Sequence, residues 1–109
     1  MTETKKVLGQ SVPAMQILTD AYTVLPATQT VISSIVVCNE SANPDCFRIS
    51  IAVAGVADAA KQYIYYDTCI DSNDTFIATI GVTLGAADVV RVYSRNGYLS
   101  FSMFGVEVV

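Results

Sequence analysis

Hydrophobic and polar residues alternate along most of this chain with a period of two. The clearest case is the segment 98–108, where Leu99, Phe101 and Met103 fall on one face and Ser100 and Ser102 on the other. Successive side chains of a β-strand point to opposite faces, so this pattern predicts a strand with one buried side. No stretch of ten or more residues shows the 3.6-residue period of a helix.

The pair Asn96-Gly97 separates two strand-like runs at 88–95 and 98–108. A two-residue type I′ turn needs positive φ at both central positions, and Asn-Gly is the commonest pair that supplies it. The sequence therefore predicts a β-hairpin here.

Further strands are predicted upstream by composition and alternation. The run 28–38 is rich in β-branched residues and predicts a central strand, and alternation returns at 46–53 after a polar loop. These two runs are interpreted as a second hairpin. Segments 61–67 and 75–84 predict an aromatic strand and a following strand.

Short strands at spacings of about ten residues predict an all-β fold. We expect an antiparallel β-sandwich of the jelly-roll or Ig-like type with seven to nine short strands, with a small barrel as the alternative. Residues 1–12 lack clear periodicity and end at Pro13. They are interpreted as an N-terminal arm with a short edge strand near 6–8, and 13–109 as a single β-sandwich domain.

The composition indicates a surface that carries little charge. The 109 residues are 52% hydrophobic and only 15% charged, against about 25% charged in typical globular domains. Large exposed apolar patches usually mark contact sites. We therefore expect part of the surface to be covered by copies of the chain or by other proteins.

The charge pattern argues against nucleic acid and membranes as partners. The net charge is −4, and the six basic residues are scattered, whereas nucleic-acid binding needs a basic stripe. The long uncharged stretch at 21–39 contains Pro26 and many polar residues, which makes a spanning helix unfavourable. The sequence does not show a basic segment followed by an apolar one, so no secretory signal is predicted.

The residue inventory excludes most catalytic systems. The chain has no His, so it cannot form Ser-His-Asp or Cys-His nucleophile systems or imidazole metal sites. Its six glycines are dispersed and form no phosphate-binding loop. We therefore expect a protein that is not an enzyme and that uses no cofactor and no metal.

Three carboxylates, Asp67, Asp71 and Asp74, lie close together in sequence. They could bind a hard cation through oxygen ligands or act as an acid and base pair. Asp and Asn in a tight connection are also common turn formers, and the spacing does not match a calcium loop. Turn formation is the preferred interpretation.

Three cysteines allow more than one arrangement. Cys38 and Cys46 lie at the facing ends of the two runs interpreted as the second hairpin, so a disulfide between them is conceivable. Cys69 would then be unpaired. The alternative is that Cys38 and Cys46 are buried free thiols, which behave as small hydrophobic residues.

The candidate functional residues are contact residues. Two interpretations of the arm are open, a frayed terminus and a segment that docks on a neighbouring subunit. Aromatic side chains are enriched at interfaces. Tyrosines are also ordinary residues on strands, with half-buried rings. The predicted interface residues are Lys5, Lys6, Val7, Leu8, Tyr63, Tyr65 and Tyr98.

The succession of strand segments resembles that of small virion structural proteins of tailed bacteriophages. The resemblance covers about residues 5–108 and is carried by the segments 35–39, 47–52, 63–67, 73–76, 88–93 and 99–105. It implies a β-sandwich that works by packing in the phage particle, with no active site to carry over.

Together, these observations predict a non-enzymatic virion protein assembled in the host cytoplasm. Its expected role is capsid decoration or cement, as a homo-oligomer, such as a trimer, that also contacts the major capsid protein. The alternative is a neck or tail-fibre component that acts as a carbohydrate- or receptor-binding β-sandwich module.

Overall fold

Nine strands account for most of the chain and confirm the all-β prediction. The structure, a computed structural model, describes residues 2–109, so the first residue of the segment predicted as an arm lies outside it. Two single 3₁₀ turns, Val53–Gly55 and Ala60–Gln62, lie between the fourth and fifth strands. The strands are β1 (Glu3–Ser11), β2 (Thr19–Thr23), β3 (Gln29–Asn39), β4 (Asp45–Ala52), β5 (Tyr63–Ile70), β6 (Thr75–Ala78), β7 (Val82–Leu84), β8 (Val89–Ser94) and β9 (Leu99–Val108).

The strands form two antiparallel sheets packed face to face. The five-stranded sheet has the order β1-β9-β3-β6, with β7 also paired to β3, and the four-stranded sheet has the order β2-β8-β4-β5. The first four strands of the chain alternate between the two sheets. If β6 and β7 are counted as one interrupted strand, the eight strands have the connectivity of a jelly roll. The Ig-like alternative would have a different order of strands within its two sheets from the order observed.

The core lies between the sheets and is built from the inward residues of the central strands. Leu99, Phe101 and Met103 are fully buried, as the alternation predicts. Phe47 of β4 contacts the ring of Phe101 across the sandwich, with centroids 6.0 Å apart. The predicted central strand at 28–38 corresponds to β3, which lies between β9 on one side and β6 and β7 on the other.

The two predicted hairpins are wrong. β8 and β9 flank Asn96-Gly97 but belong to different sheets, and β3 and β4 are likewise separated. Gly97 has φ +77°, whereas Asn96 is not among the residues with positive φ, so the turn is not type I′. A turn signal shows where the chain reverses direction, but it does not show which sheet the chain enters next.

Cys38 and Cys46 are not bonded to each other, and only Cys38 is a free thiol, so neither of the two arrangements considered from the sequence is found. Cys46 is bonded to Cys69, because β4 pairs with β5 and these two residues lie opposite each other in the register. Cys38 lies on β3 in the other sheet, opposite Thr75 and Ser100, and is the free cysteine. The error follows from the second hairpin, which placed β3 beside β4.

The segment predicted as an arm forms an edge strand of the sandwich. Residues 3–11 form β1, which pairs antiparallel with β9 along its whole length, apart from a bulge between Val7 and Gly9. The described part of 1–12 is therefore hydrogen-bonded to the five-stranded sheet, and the short strand expected near 6–8 is part of a longer one.

Candidate functional site

The four predicted interface residues of β1 point to different sides of the strand. Lys5 and Val7 face outward and are exposed, whereas Leu8 is buried in the core. Lys6 forms an ion pair with Glu107 at 2.8 Å. Only Lys5 and Val7 therefore belong to the outer surface of the five-stranded sheet.

The three predicted tyrosines do not share a surface. Tyr65 is half-buried and packs against Phe47 and Phe76, with ring centroids 5.9 and 5.4 Å apart. Tyr98 is 43% exposed and follows the turn between β8 and β9. Tyr63 is half-buried on the edge strand β5, which lies at the opposite side of the sandwich from β1. Tyr65 is thus a half-buried residue whose ring packs against the core.

The outward residues of β3, β6, β7 and β9 form a surface that we call the uncharged face. Along these strands, in the described chain, every outward position is apolar or a neutral polar residue. At the border of the uncharged face, β1 contributes the charged residues Glu3 and Lys5, which lie opposite Val108 and Val106. The apolar members of the uncharged face are Val31, Val36, Ile77, Phe104, Val106 and Val108.

The outer side of the four-stranded sheet has the opposite character, because charged residues are concentrated there. Arg48 of β4 lies between the rings of Tyr66 and Tyr93, with its guanidinium carbon 4.1 and 4.4 Å from their centroids. Its Nε and Nη2 donate to the two carboxylate oxygens of Asp67 at 2.7 and 3.3 Å. Arginine suits such a position because its flat guanidinium both stacks on rings and binds carboxylates.

A β-bulge explains how two residues of β5 reach the same arginine. Phe47 pairs with Thr68 and Ile49 with Tyr65, so Arg48 alone lies opposite two residues, Tyr66 and Asp67. Asp67 has φ +52°, a conformation that a residue with a side chain rarely adopts. The bulge therefore aims the Tyr66 ring and the Asp67 carboxylate at one guanidinium.

The electrostatics around Arg48 stabilise both charges. The hydrogen bond from Arg48 lowers the pKa of Asp67, and the same contact raises the pKa of Arg48. Arg95 lies 3.9 Å from the Asp67 carboxylate and adds a smaller attraction. Asp67 therefore stays ionised at neutral pH and holds the arginine in place.

The loop between β4 and β5 forms the other wall of a cleft around this arginine. The Tyr63 hydroxyl donates to Asp58 of this loop at 2.9 Å, and burial is the main reason why the pKa of Tyr63 is raised. Arg91 donates to the carbonyls of Val56 and Gly55 at 2.8 and 3.1 Å, which fixes the loop over the sheet. The resulting Arg48 cleft has a volume of about 610 Å³ and is lined by Arg48, Asp58, Ala60, Tyr63 and Tyr66.

Sequence reasoning missed this cleft because the bulge is not visible in the alternation. Nothing in the local sequence assigns a role to Arg48 or distinguishes Tyr66 from the neighbouring tyrosines. The available signal was the run Tyr65-Tyr66-Asp67, where three polar or aromatic residues in succession break the period of two.

The three carboxylates weighed from the sequence as a cation site or an acid and base pair, Asp67, Asp71 and Asp74, do not form a common site. Asp67 is bound to Arg48, whereas Asp71 and Asp74 lie in the exposed turn after β5. Across residues 2–109, no three side chains of the His, Cys, Asp or Glu type are placed to hold a metal ion.

Comparisons with known proteins give no relative from which a role could be transferred. No family model, no curated protein and no solved structure matches this chain. None of the helical segments in the described chain is long and apolar enough to cross a membrane.

Proposed function

We propose that this protein is a non-enzymatic structural subunit of a tailed-phage particle, and that it assembles as a homo-oligomer through its uncharged face. The role we favour is capsid decoration or cement, in contact with the major capsid protein. The observation that carries the proposal is the separation of charge between the two sheets, which leaves the outer surface of β3, β6, β7 and β9 without charge.

Burial of such a surface in a protein interface is energetically favourable. Charged residues are depleted at the centre of protein interfaces, and burying apolar area contributes about 25 cal/mol per Å² before the costs of association. Ile77 is 63% exposed in the centre of β6, and Val31 of β3 is 38% exposed. Symmetric oligomers bury such patches in repeated, self-complementary contacts.

The border of the uncharged face suits a neighbouring subunit. Lys5 and Val7 of β1 extend it toward one edge, where Lys5 lies opposite Val106 and Val7 lies opposite Phe104. Two of the four β1 residues predicted as contacts, Lys5 and Val7, thus act as a rim around the patch, and Lys5 is free to pair with a carboxylate of the next copy.

The test is the mass of the purified protein by light scattering at several concentrations. We expect a fixed oligomer, and we expect Ile77→Lys to shift it toward the monomer. The matched control is Ile17→Lys, because Ile17 is 57% exposed but lies in the loop before β2. A wild-type monomer at all concentrations, or equal effects of the two variants, would contradict assembly through this face.

The second candidate function is that of a neck or tail-fibre component with a receptor-binding role, which the Arg48 cleft favours. The two candidates differ in their position on the particle. Antibodies against the chain, viewed on purified particles by negative-stain microscopy, should label the capsid shell in the first case. Label at the neck or on the fibres would support the second.

A further inference from the structure

The side chains of the Arg48 cleft are held in place by one another. Asp67 and two tyrosine rings fix Arg48, Asp58 accepts from Tyr63, and the rings of Tyr63 and Tyr66 meet edge to face at 5.0 Å. A site that is ordered before a ligand arrives loses little conformational entropy on binding. The cleft is therefore preformed.

The backbone supports the same conclusion. A non-glycine residue at φ +52° within a strand is a conformational cost that persists only where the surroundings determine it, and such residues cluster at binding sites. Here the strained conformation places the Asp67 carboxylate against Arg48, and this contact in turn orients the arginine that lines the cleft.

The side-chain groups of the Arg48 cleft that remain available to a ligand are an aromatic surface, a hydrogen-bond donor and a hydrogen-bond acceptor. Tyr66 is 58% exposed, so the part of its ring that the Arg48 guanidinium and the Tyr63 ring do not cover is open to solvent. Arg48 uses Nε and Nη2 for Asp67, and its Nη1 makes no hydrogen bond to any residue of 2–109. The Asp58 carboxylate accepts one hydrogen bond from Tyr63 and retains further acceptor positions.

The balance of charge indicates which ligands suit these groups. Arg48 pairs with Asp67 at 2.7 Å, and Arg95 lies 3.9 Å from the same carboxylate. Asp58 adds a negative charge to the lining, so the charges of these four groups balance. An anionic ligand would meet the Asp58 carboxylate. A hydroxyl-rich ring can instead place its C–H face on an aromatic ring while its hydroxyls donate to a carboxylate and accept from a guanidinium.

We infer that the Arg48 cleft binds a neutral pyranose unit of a carbohydrate, with Tyr66 as the stacking surface and Asp58 and Arg48 as the hydroxyl partners. The volume of about 610 Å³ accommodates one or two sugar rings. Binding needs no metal ion. The inference deepens the receptor-binding candidate and rests on it for its biological meaning, but it uses the sheet opposite to the uncharged face.

The experiment is a titration of the isotope-labelled full chain followed by amide NMR shifts, with EDTA present. The neutral probes are lactose, cellobiose and chitobiose, and the anionic probes are digalacturonic acid and inorganic phosphate. We expect at least one neutral disaccharide to shift amides around Arg48, Asp58 and Tyr66 with a Kd of about 1 mM. The anionic probes should bind more weakly.

Three variants make the assignment specific. Tyr66→Ala should weaken binding about tenfold or more, because it removes the stacking surface. Tyr66→Phe keeps the ring and should bind like the wild type. The matched control is Tyr98→Ala, since Tyr98 is also partly exposed but lies at the turn between β8 and β9. Thermal unfolding of each variant checks that it is folded.

Several results would overturn the inference. These are the absence of shifts with every neutral probe, shifts confined to another surface, stronger binding of the anionic probes, and equal affinity of Tyr66→Ala and the wild type. None of these results would change the oligomer mass or the effect of Ile77→Lys. Failure of the sugar site is therefore distinguishable from failure of the assembly proposal.

Discussion

The Ser94 hydroxyl donates a hydrogen bond of 2.6 Å to the Asp45 carboxylate, and both side chains are almost completely buried. The same carboxylate accepts from the backbone N–H groups of Cys46, Asn96 and Tyr98 at 2.7, 2.9 and 3.1 Å. One aspartate at the start of β4 therefore accepts hydrogen bonds from the turn between β8 and β9, where the chain passes from the four-stranded sheet to the five-stranded sheet.

Asp45→Ala should lower the free energy of unfolding by about 3 kcal/mol or more, because it leaves buried donors without a partner. Chemical denaturation measures the change. The control is Asp71→Ala, which removes an exposed loop carboxylate and should stay within about 0.5 kcal/mol of the wild type. A loss below about 1 kcal/mol for Asp45→Ala would show that the turn does not depend on this carboxylate.

The role of Asp45 illustrates what alternation can and cannot predict. Leu99, Phe101 and Met103 face the core as their spacing predicts, because inward and outward positions alternate on any strand. The pairing of strands depends on contacts between distant residues. The bonds from Asn96 and Tyr98 to Asp45 span about fifty positions, and no local pattern reports them.

The candidate site was predictable only in part. The composition predicts the tyrosine-rich strand. The bulge opposite Arg48, however, decides that Tyr66 faces the cleft and that Tyr65 packs against Phe47. Because a shift of one residue exchanges the two faces of a strand, an unrecognised bulge assigns the wrong tyrosine to the surface.

Because the Tyr22 hydroxyl is buried and hydrogen-bonded, we expect the protein to lose stability at alkaline pH. It donates to Glu107 at 2.6 Å, and burial followed by this bond raises the pKa of Tyr22 from 10.0 to about 12. A raised pKa means that the folded state holds the proton more tightly. The contribution of Tyr22 is therefore fully present below pH 10.0 and is lost as the pH rises to about 12.

The free energy of unfolding of Tyr22→Phe should consequently fall less steeply between pH 10.0 and about 12 than that of the wild type. Urea denaturation at several pH values measures the two slopes. The control is Tyr98→Phe, because Tyr98 is 43% exposed, and its slope should match the wild type. Equal slopes for all three proteins would contradict the role assigned to Tyr22.

The disulfide between Cys46 and Cys69 ties β4 to the edge strand β5, which carries Tyr66 and Asp67 of the cleft region. The two cysteines are 23 positions apart, and closing a loop of this size restricts the unfolded chain by about 3 kcal/mol. Cys69→Ser should therefore destabilise the oxidised protein by about this amount, whereas Cys38→Ser should leave the disulfide intact.

Thiol titration of the denatured protein tests the pairing directly. One thiol should react without reductant and all three cysteines should react after reduction. A peptide map of the unreduced protein should link the peptides that contain Cys46 and Cys69. A linked pair that includes Cys38 would contradict the register between β4 and β5.

Gly105 tests how closely β9 packs against its two neighbours. A Cβ at this position would collide with the Val31 carbonyl oxygen and would lie 2.9 Å from the Leu8 side chain and 3.0 Å from Ile32 Cα. Because two of these contacts are backbone atoms of β3, the strand must move to make room. Gly105→Ala should therefore lower the free energy of unfolding, measured by chemical denaturation, by about 2 kcal/mol or more.

Gly81→Ala is the matched control, since a Cβ there meets no atom within 4 Å, and its free energy of unfolding should be close to that of the wild type. If both variants were neutral, β9 would be packed more loosely against β1 and β3 than the register of the five-stranded sheet requires.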